Sequence, residues 1–168
     1  LRRHDVAFNI LVLVNDLNVG KAREVYQYLG DQGFHFQQYI PCVEFDEAGK
    51  PLPFTVTGEQ WGDFLCQLFD MWYPGDTRRV SVRLFDSLIA YLVEGTRTVC
   101  SMGHNCCQYF VVEHNGDIYP CDFFVQPRLL VGNIRKLSWE QASQSPVYRQ
   151  FGAQKAIWNE ECDRCPHL

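Results

Sequence analysis

Residues 6–14 read Val-Ala-Phe-Asn-Ile-Leu-Val-Leu-Val. They are nearly all apolar and largely β-branched, the pattern of a strand buried on both faces, as in a parallel sheet. Asn15-Asp16 punctuates its end. Ala22, Val25, Tyr26 and Leu29 then fall at i, i+3, i+4 and i+7, one face of an amphipathic helix. Gly30 and Gly33 lie near its end. Residues 34–40, Phe-His-Phe-Gln-Gln-Tyr-Ile, read as the next strand. Strand, helix and strand joined by so short a crossover make a βαβ unit, and the fold class at this end of the chain is α/β.

The pattern continues outward. Residues 44–56 form a loop carrying Gly49, Pro51 and Pro53. Thr57-x-x-Gln60 is a capping box. Trp61, Phe64, Leu65, Leu68, Phe69 and Trp72 make one apolar helical stripe, read as core, and Pro74-Gly75 stops that helix. Residues 80–83 are a short strand. Phe85, Leu88, Ile89 and Leu92 form a further helical face ended by Gly95. The texture changes near residue 96, so the expected domains are 1–95 and 96–168.

Composition narrows the function classes. The chain has 168 residues, 46% of them hydrophobic, enough for a packed core. Its net charge is −5, and Arg2-Arg3 and Arg78-Arg79 are isolated pairs, so no basic stripe marks a nucleic-acid surface. No apolar run reaches the roughly 18–20 residues of a membrane span. The chain starts at Leu1 and stops at Cys165-Pro166-His167-Leu168, inside a cysteine motif. Both ends read as cut from a longer protein.

The last third carries the chemistry. Its cysteines run Cys100-x5-Cys106-x9-Gly116-x4-Cys121, followed after a gap by Cys162-x2-Cys165. Asn115-Gly116, between residues 108–113 and 118–120, is a strong hairpin signal. Gly116 supplies the positive φ of the turn. The hairpin brings Cys106 and Cys121 to neighbouring chain ends, able to share a metal centre. Ser138-x-x-Gln141 is a second capping box, and Pro146 opens a helix carrying Val147, Tyr148 and Phe151. Three chemistries suit eight cysteines: disulfides, zinc and iron–sulfur clusters. Disulfide scaffolds are usually shorter, and spacing alone does not separate zinc from iron–sulfur. Cys42 and Cys66 sit among apolar residues and read as small core groups.

These residues resemble a known family. Cys100-Ser-Met-Gly-His-Asn-Cys106, Tyr119-Pro-Cys121-Asp122-Phe-Phe and Leu130-Val-Gly-Asn-Ile134 are similar to the anaerobic sulfatase-maturating enzymes. That family consists of radical S-adenosylmethionine (SAM) proteins with a C-terminal SPASM domain holding two auxiliary clusters. Phe8-Asn-Ile-Leu11, Phe36-Gln-Gln-Tyr-Ile-Pro-Cys42 and Val80-Ser-Val-Arg-Leu-Phe-Asp86 resemble its later barrel strands and the linker into the cluster domain. The resemblance implies the later part of a partial (β/α)6 barrel, then a small α+β SPASM domain. It also implies oxidation of a sulfatase Cys or Ser to Cα-formylglycine, with a radical made from SAM taking a hydrogen from the substrate Cβ.

Residue by residue, the resemblance makes Cys100, Cys106 and Cys121 ligands of a first auxiliary [4Fe–4S] cluster. Cys162 and Cys165 become ligands of a second. Asp122 becomes the general base and Val43 a SAM contact. Cys106 rather than Cys107 is the ligand, with Cys107 packed into the hairpin, and His104 is placed to donate to cluster sulfur. The partners implied are a sulfatase polypeptide and an electron donor such as flavodoxin or ferredoxin, in an anaerobic cytoplasm. The Cys-x3-Cys-x2-Cys signature and the last cluster cysteines are absent from the sequence, so activity is expected of the longer parent and not of this fragment. Two alternatives remain beside it. One is another SPASM enzyme that modifies peptides; the other is a non-catalytic zinc-binding module.

Overall fold

The computed structural model describes residues 1–165, in two compact units, Leu1–Thr96 and Arg97 onward. The first unit is α/β. Strands β1 (Ile10–Val14), β2 (Phe36–Pro41) and β3 (Ser81–Val82) form a parallel sheet in the order β1-β2-β3. Helix α1 (Ala22–Asp31) joins β1 to β2, and α2 (Gly58–Trp72) lies between β2 and β3 in sequence. Helix α3 (Arg83–Glu94) follows β3 and ends at Gly95, whose φ of 68° gives the left-handed cap. The βαβ reading of the sequence is the observed arrangement.

One sheet face is packed. Val14, Tyr39, Val82, Tyr26, Leu29, Phe64, Leu68, Trp72 and Phe85 share one core. The Thr57–Gln60 capping box is formed in both directions and opens α2. Trp72 is buried, and its indole N–H donates to the Val80 carbonyl at 2.6 Å, tying the end of α2 to the start of β3. Buried Gln37 is satisfied: it donates to the Phe34 carbonyl and accepts from the Tyr39 hydroxyl. The Tyr26 hydroxyl donates to Asp76 at 2.6 Å, and Arg79 pairs with the same carboxylate at 2.7 Å.

Three expectations for this unit need correction. β1 is not buried on both faces: Leu11 and Leu13 are 58% and 54% exposed, while Ile10, Val12 and Val14 face the core. The helices of this unit cover one side of the sheet, so only alternate residues are enclosed. The α3 stripe likewise differs. Phe85 and Ser87 are buried, and Leu88, Ile89 and Leu92 are exposed, because β3 and β2 take the other side of the helix. Cys66 lies on the outer side of α2 and is exposed, whereas Cys42 is buried as expected.

The second unit is a small α+β assembly. Strands β4 (Val111–Val112), β5 (Asp117–Tyr119) and β6 (Gly132–Asn133) form an antiparallel sheet in that order. The β4–β5 turn has Gly116 at φ 88°, and the Glu113 N–H donates to the Asp117 carbonyl at 2.9 Å. β6 is not foreseen from the sequence. Asn133 secures it by donating from its amide to Asp117 at 2.9 Å and to the Asn115 carbonyl at 3.2 Å. Helices α4 (Trp139–Gln144), α5 (Pro146–Gln154) and α6 (Glu160–Asp163) follow. The Ser138–Gln141 capping box is formed. Phe110 stacks on Tyr148 at 4.2 Å and on Trp139 at 5.8 Å, clamping the hairpin to α5 and α4.

Candidate metal centre

All eight cysteines are free thiols in the structure. Three of them, Cys100, Cys106 and Cys121, line one cavity of about 470 Å³ in the second unit. Each comes from a different local device. Cys100 opens a 3₁₀ turn, Cys100–Met102, closed by the Gly103 N–H bonding the Cys100 carbonyl at 3.1 Å. Cys106 is held by its backbone N–H, which donates to the Gly152 carbonyl of α5 at 3.2 Å. Cys121 stands just before a second 3₁₀ turn, Asp122–Phe124, and its carbonyl accepts from the Phe124 N–H at 3.1 Å.

Most of the remaining wall is apolar, including Pro120, Phe124, Leu129 and Phe151, and it carries two cations, Arg128 and Lys155, beside Tyr109 and Gln154. Lys155 donates to the Cys100 carbonyl. Phe124 packs edge-on against Phe151 at 5.5 Å, while Phe123 is 72% exposed. Thiolates are soft ligands suited to iron–sulfur clusters and zinc, and cations beside them offset their negative charge. Among the described residues no three His, Cys, Asp or Glu side chains converge on a point for a single ion. Three thiols spread around a wide, mostly apolar cavity fit a multi-iron body.

Cys121 has polar neighbours on two sides. The Tyr109 hydroxyl is 3.7 Å from its sulfur, and the thiol lies 3.5 Å from an Asp122 carboxylate oxygen. Burial pushes the Cys121 thiol up, and the Asp122 charge adds to that rise; the Phe123 backbone N–H and the Tyr109 hydroxyl oppose it. The Tyr109 phenol is raised too, by burial first and then by Cys121. Asp122 itself is exposed.

The other sequence-derived sites lie elsewhere. Cys162 and Cys165 are exposed and are not among the residues lining that cavity. They bracket the end of α6 in one turn: Asn159 caps the Cys162 N–H at 2.8 Å, and the Cys165 N–H donates to the Cys162 carbonyl at 3.0 Å. Val43, in the first unit, is 50% exposed and lies just beyond β2, at the carboxyl end of the parallel strands. Cys107 packs on α5 and not into the hairpin: its sulfur lies 3.5 Å from the Tyr148 carbonyl. The helix passes so close because residue 152 is a glycine. His104 stacks on Trp158. Pro166, His167 and Leu168, the end of the cysteine motif, fall outside the described residues.

Tyr109, Lys155 and Gly152 were missed from the sequence. The turn gave no signal for Tyr109: counting outward from Asn115-Gly116 pairs 109 with 122, whereas the observed register, Val111↔Tyr119 and Val112↔Ile118, is one residue off that count.

Residues 98–166 match the SPASM family, an iron–sulfur cluster-binding domain. Over 98% of its length the chain is 32% identical to the cysteine-type anaerobic sulfatase-maturating enzyme of Clostridium perfringens (strain 13 / Type A), covering 45% of that protein. Over its full length it is 31% identical to the serine-type enzyme of Bacteroides thetaiotaomicron, covering 44% of it. The solved structure of native anSMEcpe with bound AdoMet matches with a TM-score of 0.86 at 31% identity, over 98% of this chain and 46% of that one. The complex with the Kp18Cys peptide gives 0.87 at 33%. By this likeness the chain is similar to the anaerobic sulfatase-maturating enzymes, and it spans about 45% of the length of the curated relatives it matches.

Proposed function

We propose that the protein to which these residues belong is a radical SAM enzyme that oxidises a sulfatase Cys or Ser to Cα-formylglycine. The observation that carries this reading is the grouping of Cys100, Cys106 and Cys121 around one cavity, with Asp122 directly beside the last of them. The whole-length likeness to sulfatase-maturating enzymes of both cysteine and serine type supports it.

In this reading Cys100, Cys106 and Cys121 hold a first auxiliary [4Fe–4S] cluster, and Cys162 and Cys165 contribute to a second. SAM and the clusters, when bound, supply hydrogen abstraction and carry away the substrate electron. The chain's own part is acid–base and positional. Asp122 leaves the Cys121 ligand by one peptide bond, so its carboxylate is placed by the cluster site and yet faces solvent. It accepts the thiol or hydroxyl proton of the substrate at a carboxylate oxygen. Val43 lies where ligands of parallel α/β sheets bind, outside the carboxyl ends of the strands, and makes a SAM contact there. The partners are a sulfatase polypeptide and a flavodoxin or ferredoxin donor in the cytoplasm.

The test is Asp122→Asn in the full-length parent, purified without oxygen. Iron and sulfide content stay unchanged, and substrate oxidation slows by roughly 10²–10⁴-fold, the usual weight of a general base. Wild-type turnover in that variant would remove the assignment.

A further inference from the structure

We propose that Tyr109 tunes the metal site: its hydroxyl donates a hydrogen bond to the Cys121 sulfur and raises the reduction potential of the cluster held there. The inference rests on reading Cys100, Cys106 and Cys121 as cluster ligands. The phenol oxygen is 3.7 Å from Cys121 Sγ, within hydrogen-bonding distance for sulfur. In a free thiol either atom can donate. A sulfur bound to iron is a thiolate with no proton, so only the phenol can then donate.

Two independent features aim this hydroxyl. The hairpin pairs Val111 with Tyr119, and its two chains run out from that pair to Tyr109 and Cys121, each two residues beyond it. The Tyr148 side chain, buried in α5, donates from its hydroxyl to the Tyr109 carbonyl at 3.1 Å, while its ring stacks on Phe110. The backbone of Tyr109 is thus held by a helix as well as by the hairpin. The result brackets one sulfur between a donor and a carboxylate, because Asp122 lies 3.5 Å away on the same atom.

The two neighbours act in opposite directions. A donor withdraws electron density from the thiolate and favours the reduced cluster; hydrogen bonds to the sulfurs are among the factors that set such potentials. The Asp122 charge disfavours added negative charge. Removing the phenol leaves the carboxylate unopposed, so the potential falls.

The test uses the full-length parent with its clusters in place. Tyr109→Phe is compared with wild type by iron and sulfide analysis and by a potentiometric titration followed by electron paramagnetic resonance, which reads the clusters without turnover. Full iron content, with one midpoint moved to a more negative potential and the others in place, is the expected result. Full iron content with every midpoint unmoved overturns the proposal and leaves the cluster reading intact. Zinc in place of iron overturns both. If the Phe variant loses iron, 3-fluorotyrosine at position 109 decides: its more acidic phenol donates more strongly and raises that midpoint, and an unmoved midpoint overturns the proposal.

Discussion

The Cys107 sulfur rests against Gly152 so closely that a Cβ added at 152 would lie 2.2 Å from it. The same Cβ would also stand 2.9 Å from the Asn105 side-chain oxygen and 3.1 Å from the Cys107 backbone nitrogen. Gly152 is therefore the point at which α5 lets the cysteine loop approach, and its carbonyl receives the Cys106 N–H.

Gly152→Ala forces that loop away from the helix. Overpacking of this kind costs about 1–3 kcal/mol. Lower thermal stability and reduced iron content are expected together, because the displaced loop carries Cys106. Adding Cys107→Ala removes the closest clash and restores part of both. Iron content equal to wild type in the single variant would show that the contact does not position the site.

Cys106→Ala and Cys107→Ala separate ligand from neighbour. Cys106 lines the cavity, whereas the Cys107 sulfur is turned toward the Tyr148 carbonyl. Iron per chain in the anaerobically purified parent falls for the first and holds for the second. The reverse result would move the ligand by one residue.

Trp72→Phe keeps an aromatic ring in the core but removes the donor to the Val80 carbonyl. A buried acceptor left without its partner costs about 1–3 kcal/mol. Thermal unfolding should show the loss, and an unchanged midpoint would mean that water or a shifted backbone replaces the indole N–H.

Loss of the Thr57 cap is smaller. Thr57→Ala removes the oxygen that accepts the Gln60 N–H at 3.2 Å and leaves the first turn of α2 open. A loss of about 1 kcal/mol is expected from such caps. Thr57→Ser retains the hydroxyl and is expected to hold most of the stability, which distinguishes capping from side-chain packing.

Asp76 predicts a pH dependence. The Tyr26 hydroxyl holds its carboxyl below the usual range; burial opposes this, and Arg79 adds to the lowering. The unfolded group titrates near ~3.9, so below that pH the unfolded chain binds more protons and stability falls. The contribution is present above about pH 4 and is lost as pH drops through the depressed folded value. Asp76→Asn has no such proton to take up, so its thermal stability declines less steeply on acidification. Parallel acid limbs for the two proteins would remove Asp76 from the account.

The readable parts of the molecule were those written in neighbouring residues. The βαβ unit, both capping boxes and the Asn115-Gly116 turn follow from local periodicity and backbone preference, and each is present. The misread parts depended on what lies opposite. Leu11, Leu13 and the Leu88-Ile89-Leu92 stripe look enclosed as sequence, because an apolar pattern does not say which face a neighbour covers.

By itself the sequence determined the cysteine spacing and the presence of a hairpin at Asn115-Gly116, a dipeptide that favours a tight turn. The structure decided its register, which pairs Val111 with Tyr119, and the approach of Tyr109 to Cys121. Only the tertiary structure decided that Cys100 joins Cys106 and Cys121 around one cavity, that α5 supplies Lys155 and the Gly152 contact, and that Cys107 turns away toward α5. The contacts with α5 and its end join residues 41 to 55 positions apart. They depend on how two packed elements meet, and no local rule of chain geometry encodes that.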